Sequence, residues 1–550
     1  MADPAPGAAE EADRVQLAEL VAALSLAADQ ASGVTLEHGL RTCLLATRLA
    51  GRAGLGPAEC REVYYVALLR AIGCTSDSAE QAALFGDEIA ARTELNLAAH
   101  LPTREVLGVL VRHATAGAGA GMGGSAGRRA AAAGRALAAG PKMPRAMATA
   151  HCAAAERLGA RLGLGGSVPA ALGALFERWD GKGFPAGRAG GEIPAAARFT
   201  QVAYDALLLH EHLGGGGEGA GLDGTGGDGA AATGRVAAAA GTLYDPAVAG
   251  LLTPGDVTET AGLPAPWDDA LAAEPGGPTP LSGEQLDQAC QAAADFADLK
   301  SPWLLGHSRA VAELAEAAAW RAGLPAADVA RLRRAALLHD LGRVAVSSGV
   351  WNRPGPLRAA EREQARLHPY HTERALSRSP RLAALGDLAG AHHERLDGSG
   401  YHRGSKAAQL APAARLLAAA DCYQSRTEVR PHRAALPPAA AAADLEAQVR
   451  AGRLDADAVH AVLAAAGQRG AAGQRGPGAR APVLPGGLSP REAQVLGLLA
   501  RGRSTRQIAA ELGITPKTAG HHIQHIYTKL DVSTRATAAL FALEHGLLQA

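Results

Sequence analysis

Apolar and polar residues recur at helical period along most of this chain. The stretch AALLHDLGR (335–343) shows the pattern: an alanine and leucine run that would bury one helical face ends in adjacent His339 and Asp340. Ala/Leu segments of this kind predict helices throughout. Glycine and proline punctuate them. The stretches 116–127, 214–229, 263–280 and 467–487 are so rich in the two that they read as unable to hold a packed helix or strand.

The apolar pattern also repeats at long range. His38, Gly54, Leu55, Ala67-Leu68-Leu69 and Gly73 recur 269 residues later as His307, Gly323, Leu324, Ala336-Leu337-Leu338 and Gly342. Farther on the offset is 217: His151 meets His368, FERWDGKGFP (176–185) meets HERLDGSGYH (393–402), and Arg198 meets Arg415. GTLYDPAVAGLL (241–252) resembles GRLDADAVHAVL (452–463) in the same order. The first copy therefore holds 52 extra residues, around the glycine-rich run at 116–127. Such a repeat means two sister units of one architecture. The expected organisation is an N-terminal segment (1–30), a first helical domain (31–255), a linker (256–280), a second helical domain (281–466), a Gly/Pro/Arg linker (467–487) and a small C-terminal domain (488–550).

Composition sharpens the fold class. Hydrophobic residues make up 48% of the chain but aromatic ones only 3%, so alanine carries much of the apolar content. Alanine has the best helix propensity, and strands would want β-branched and aromatic residues. An all-α protein is expected. Net charge is zero, so any surface for nucleic acid must be local. The six cysteines are scattered with no CxxC pair, and the start MADPAPGAAEEADR is acidic and polar, unlike a signal peptide. No charge-free apolar run reaches the roughly 18–20 residues that span a bilayer. A cytoplasmic protein without membrane contact is the expectation.

In the second copy, groups able to bind metal stand where a helix would otherwise be apolar: His307, His339, Asp340, His368, His392, His393 and Asp421. One His-Asp dipeptide is weak evidence; seven groups in this order are not. Imidazole with carboxylate suits iron, manganese or zinc rather than the all-oxygen shells of calcium or magnesium. Neighbours on a helix point about 100° apart, so His392 and His393 are expected to serve two ions side by side, with Asp340 bridging them. A bridged pair of ions can activate water for in-line attack on a phosphodiester.

HSRAVAELA (307–315), AALLHDLGR, HPYHTERAL (368–376), HHERLDGSGY (392–401), AAADCY (418–423) and RPHR (430–433) together resemble the successive motifs of the HD-GYP branch of the HD phosphohydrolases. The resemblance covers essentially all of 295–465. It implies an all-α domain with two or three metal ions that hydrolyses cyclic di-GMP. The seven residues would be its ligands, with Asp340 and Arg343 catalytic. Arg343, Arg395, Asp397, Gly398, Gly400 and Tyr401 would contact substrate. Three positions depart from the family. Arg343 replaces a lysine, His402 replaces the proline of GYP, and Trp303 stands where members with a third metal have glutamate. Two divalent ions, iron or manganese, are therefore expected. The first two departures bear on whether cyclic di-GMP or a related phosphoester is the substrate.

In the first copy Arg70 and Ala71 occupy the positions of His339 and Asp340, Leu175 and Phe176 those of the histidine pair, and Tyr204 that of Asp421. A guanidinium would repel a divalent cation and could itself supply positive charge. No metal pair and no hydrolysis are expected here. A ligand sensor or a packing partner are the alternatives.

The C-terminal stretch carries helix caps at Ser489-Pro490, Ser504-Thr505 and Thr515-Pro516, with Gly513 ending the middle helix. Residues 467–550 hold ten Lys/Arg against four Asp/Glu, a local field for phosphates. Residues 488–550 resemble the LuxR-type helix-turn-helix domain through LSPRE, IAAELGI, KL and ALEHGL. That resemblance puts Lys517, Thr518, His521, His522, Gln524 and His525 toward the major groove of DNA, with Arg506 and Lys529 near phosphates. Gly520 departs from it, at roughly 1 kcal/mol against alanine. A homodimer is expected, since such readers bind paired half-sites. The whole reads as a transcriptional regulator bearing a metal-dependent phosphodiesterase. The alternatives are a regulator that binds nucleotide or metal without turnover, and an enzyme for another phosphate ester.

Overall fold

The computed structural model describes residues 14–119, 126–139, 142–213, 229–472 and 484–549. It is all-α: among the described residues there are helices and isolated bridges but no strand ladder. The chain divides into two compact units, one ending at Ala289 and one starting at Cys290.

In the first unit, the helices that frame the repeat are α1 (Leu17–Ser32), α2 (His38–Arg52), α3 (Pro57–Leu68), α4 (Met143–Arg161) and α5 (Ala195–Leu213). α1 is buried on nearly every side, as expected of a helix that is apolar all round. It crosses the boundary expected at residue 30 and packs on α2 and α3.

Three expectations drawn from glycine and proline fail. The helix Thr103–Gly119 runs into the glycine-rich stretch 116–127, and another begins at Ala126; residues 120–125 lie outside the described residues. Glycine serves there as a close-contact residue, since a Cβ on Gly117 would meet the Phe85 carbonyl at 2.5 Å. In 263–280, Pro266–Ala272 forms a helix with proline in its first turn, Asp268 and Asp269 beside the positive end of its dipole, and Trp267 and Ala270 buried. Burial of one indole outweighs the surrounding breakers. The helix Ala456–Ala472 likewise continues into 467–487, of which 473–483 lie outside the described residues. So do 214–228.

The second unit contains α6 (His307–Arg321), α7 (Ala326–Leu338), α8 (His368–Leu376), α9 (Pro380–Gly390) and α10 (Pro412–Thr427), followed by the four helices α11 (Pro490–Ala500), α12 (Thr505–Leu512), α13 (Pro516–Leu530) and α14 (Arg535–Glu544). The sequence repeat is also a repeat of contacts. A Cβ on Gly73 would meet the His151 carbonyl at 2.2 Å, and one on Gly342 the His368 carbonyl at 2.1 Å. Only glycine allows either approach. Arg198 pairs with Asp245, and its counterpart Arg415 with Asp455.

Three of the last four helices start as the sequence predicts, and the fourth has a cap, Thr534, that was not foreseen. Ser489, Ser504, Thr515 and Thr534 each accept the backbone N–H three residues on, and Gly513 closes α12 in the left-handed region at φ 65°. Val495, Leu496, Leu499, Ile508 and Ile526 form their core.

Candidate metal centre and DNA-reading face

The polar groups of the second copy collect where helix ends converge. His307 opens α6, His339 caps the end of α7, Asp340 follows it, His368 opens α8, His392 and His393 follow α9, and Asp421 lies within α10. His307, His339, Asp340, His368, His392 and Asp421 are all buried. They form three groups, two of them disjoint and the third, His339, Asp340 and His392, linking those two. Ligand-type atoms of His307, His339 and Asp421 lie within 4.8 Å of one another, as do those of His368, His392 and His393.

Asp340 stands between the sets. Its Oδ2 is 3.0 Å from His339 Nε2 and 3.5 Å from His307 Nε2; its Oδ1 is 3.3 Å from His368 Nε2 and 3.6 Å from His392 Nε2. His392 and His393 share one group, and His392 also belongs with His339 and Asp340. The helix has ended at Gly390, so the angle between helical neighbours does not apply to them. His393 does reach the other set, 3.7 Å from Asp421.

Backbone carbonyls fix the imidazoles. Nδ1 of His339, His368 and His392 donates to the carbonyls of Ala336, Ala365 and Ala389 at 2.7, 2.6 and 2.7 Å. Each Nε2 is thereby left with a lone pair aimed inward. The consequence is plain at His368 and His392, whose Nε2 atoms face each other at 3.1 Å. Two lone pairs at that distance repel unless a cation or proton lies between them. His307 Nε2, His339 Nε2, both Asp340 oxygens and Asp421 Oδ1 are buried without an aligned hydrogen bond. A native interior rarely tolerates so many such atoms together. The donor set and its orphaned atoms fit metal ions.

The charge states agree. Burial would raise Asp340, but Arg343 and His339 beside it hold its carboxyl well below the usual range. Burial likewise opposes, and His307 and His393 more than offset it, at Asp421. Burial, reinforced by neighbouring histidines, pushes His392 and His393 well down, leaving neutral imidazoles. His307 is the exception: Glu428 and Asp421 outweigh burial and hold it up at about 9, so it carries a proton that a metal ion would have to displace.

Sequence reasoning missed Glu428. His307 Nδ1 donates to its Oε2 at 2.8 Å, turning Nε2 inward, and Arg430 pairs with the same oxygen at 2.7 Å. The repeat carried the signal, because Glu211, 217 residues earlier, pairs with His38 at 3.1 Å. Glu394 was missed too. Its buried carboxylate accepts from the backbone of Arg403 and Ser405, holding the loop, as Glu177 accepts from Ala186, Gly187 and Arg188 in the first copy.

Arg343 lies 2.8 Å from Asp340 Oδ2, its guanidinium 5.4 Å from the Trp351 ring centre. It is a cation at the Asp340 carboxylate. Among the other substrate candidates, Tyr401 reaches the cage by packing on His393, centroids 4.7 Å apart. Arg395 donates to the His392 and Glu394 carbonyls. Asp397 accepts from Ser399 within its own turn. Gly398 has φ 79°, and a Cβ on Gly400 would meet Glu394 Cα at 2.5 Å. These last three shape the loop.

On α13, Lys517, Thr518, His521, Gln524 and His525 are exposed and His522 is half-buried; Arg506 on α12 is exposed. Lys517, His521 and Gln524 share one face at i, i+4 and i+7 spacing. Thr518 Oγ1 meets Thr515 Oγ1 in the cap. Lys529 is exposed and already has partners: its ammonium is 2.7 Å from Glu492 Oε2 and donates to the Gly487 carbonyl. It ties α13 to the start of α11 and is not a free cation.

Residues 291–458 match the HD domain family, and residues 487–542 the luxR family of bacterial regulatory proteins. The chain joins an HD domain to a luxR-family domain. Its HD-containing part has relatives among cyclic-dinucleotide phosphodiesterases. A 3'3'-cGAMP-specific phosphodiesterase of Vibrio cholerae is 26% identical over 436 residues, 76% of this chain and 88% of the relative. That span is longer than the second unit, so it takes in much of the first. A cyclic di-GMP phosphodiesterase of Pseudomonas aeruginosa is 38% identical over 128 residues, 23% of this chain and 31% of the relative. The crystal structure of a cyclic GMP-AMP specific phosphodiesterase of Vibrio cholerae superposes with a TM-score of 0.53 at 24% identity, over 82% of this chain and 98% of that one. This last likeness establishes the fold. Among the described residues, no helix is long and apolar enough to cross a membrane.

Proposed function

We propose that the HD domain is a metal-dependent phosphodiesterase acting on a cyclic dinucleotide, and that the luxR-family domain makes the chain a DNA-binding regulator. The observation that carries this is the cage itself: inward-facing, unpaired nitrogen and oxygen atoms in two sets, with Asp340 between them. His307, His339 and Asp421 would hold one divalent ion, His368, His392 and His393 a second, and Asp340 would touch both. When bound, such a pair supplies an acidified water and positive charge for the phosphoryl oxygens.

The chain's own groups do the rest. Arg343 balances the Asp340 charge and offers a planar donor fork toward a phosphate that enters the cage. Tyr401 packs on His393 and has the Arg366 guanidinium 5.0 Å from its ring centre, which sets an aromatic ring and a planar cation together at the rim. The loop after it is fixed by Glu394 and by His402, whose Nε2 lies 3.0 Å from Glu373; the position where the family has proline is thus anchored through a side chain. 3'3'-cGAMP is the first substrate to test and cyclic di-GMP the second, since the relative specific for cGAMP matches far more of the chain.

The test is hydrolysis of each by the purified full chain with Mn²⁺ or Fe²⁺, beside Asp340→Ala. Turnover of either, reduced at least about a hundredfold in the variant, supports the proposal. If neither is cleaved while a simple phosphomonoester is, an enzyme for another phosphate ester takes its place.

A further inference from the structure

The first helical unit places a guanidinium at the position of the second unit's His-Asp pair. Arg70 follows α3 as His339 follows α7. Its guanidinium lies 4.1 Å from the Tyr204 ring centre and 5.1 Å from that of Phe176. These are the residues that align with Asp421 and His393. The equivalents of the cage thus gather at one place, with aromatic walls where the ligands stood.

What marks this as more than packing is the set of unused polar groups. Arg70 is half-buried, and its guanidinium makes no hydrogen bond or ion pair among the described residues and has its Nε shut off from solvent. A guanidinium has five donors, and leaving them unmet in a partly buried site is unfavourable. The carboxylates nearby are already engaged. Glu211 accepts from Thr35 and pairs with His38, Asp205 accepts from Tyr244, and Asp29 accepts from the Gly39 backbone. His38 is fully buried with Nε2 unpartnered, and its ring meets Tyr204 edge-on at 4.6 Å. His151 has turned away: its Nε2 lies 2.7 Å from the Arg70 carbonyl, whereas the Nε2 of its counterpart His368 points into the cage.

We propose that the first unit binds a phosphate-bearing nucleotide, the phosphate on Arg70 and a base against the part-exposed Phe176, with no metal ion and no hydrolysis. Arg70 replaces the cations of the second unit by a fixed positive charge at the equivalent place. Planar donors beside aromatic faces are a chemistry suited to a phosphate carrying a base. The site does not depend on the phosphodiesterase assigned to the other unit.

The experiment uses the full chain carrying Asp340→Ala, kept in EDTA, so that the second unit cannot turn ligand over. Calorimetric titration with 3'3'-cGAMP is run beside inorganic phosphate. Binding of either that weakens at least tenfold in Arg70→Gln, and by a smaller factor in Arg70→Lys, supports the site. If phosphate binds with that dependence and the dinucleotide does not, the site stands as one for a smaller phosphate ligand. Thermal melts of the variants check the fold, and Arg70→Lys keeps the charge should Arg70→Gln misfold. The proposal is overturned if neither probe binds, or if binding is the same in both Arg70 variants as in their parent.

Discussion

Glu428 touches the cage through His307, which makes it a probe of how far the surroundings tune the ligands. Its carboxylate accepts the His307 Nδ1 proton and so raises the donor strength of Nε2. Glu428→Gln keeps the shape and removes the charge. We expect metal affinity to fall by about 10–100-fold, read by titration against a competing chelator, with the helical content unchanged. Equal affinity in both proteins would remove Glu428 from the site.

A second residue-scale prediction concerns the first unit. Burial, opposed by His38 and the Gly39 N–H, raises the Asp29 carboxyl to about 7, with Glu211 and Arg41 also near. Asp29 therefore holds its proton more tightly folded than unfolded. Its contribution to stability is full below about pH 4, the unfolded value, and is lost as pH rises through about 7. Asp29→Asn should flatten the fall in melting temperature between pH 5 and pH 8. Asp77, raised to about 6 by burial, acts in the same direction, so a smaller slope will remain. An unchanged slope would contradict this account of Asp29.

At the scale of elements, α13 carries one glycine with no conformational reason to be there. Gly520 has ordinary helical φ, and a Cβ would meet only Thr505 Cγ2, at 4.0 Å. Gly520→Ala should raise the stability of the luxR-family domain by about 0.5–1 kcal/mol, seen as a higher midpoint in chemical denaturation. A lower midpoint would mean that the half-buried position has less room than its contacts indicate.

The same scale shows what was legible in the sequence and what was not. Caps at Ser489, Ser504 and Thr515 were readable because a cap is a local event. The seven cage residues were readable because histidine and aspartate interrupt apolar faces. The helices at Pro266–Ala272 and Thr103–Gly119 were not, since their stability comes from a buried Trp267 and a close approach at Gly117 that local propensity cannot reveal. The directions of His392 and His393 were not legible, because the end of α9 at Gly390 takes them out of helical geometry. The pairing of Lys529 was not legible because its partner, Glu492, is 37 residues away.

Within the second unit, the luxR-family helices rest on the segment that opens α6. Leu305 packs against their core. Gly306, at φ 80°, is the residue before His307, and a Cβ there would meet Leu543 and Leu548 at 3.2 Å. Arg503 lies 5.9 Å from the Trp303 ring centre. Any shift of His307 on metal loading is therefore felt at α14. We expect metal removal to change the DNA affinity of the full chain by at least about fivefold, the lower end of ordinary coupling, measured by anisotropy on a duplex selected from a random pool. Leu305→Asp should abolish that difference while leaving metal content intact. Equal DNA affinity with and without metal would show the contact to be passive.

The metal content of the anaerobically purified full chain, by elemental mass spectrometry beside Asp340→Ala, tests the cage most directly. Two ions per chain, of iron or manganese, falling below one in the variant, is the result the two histidine sets joined by Asp340 predict. A folded chain that binds no divalent ion even after reconstitution, or a content that Asp340→Ala leaves unchanged, would contradict it.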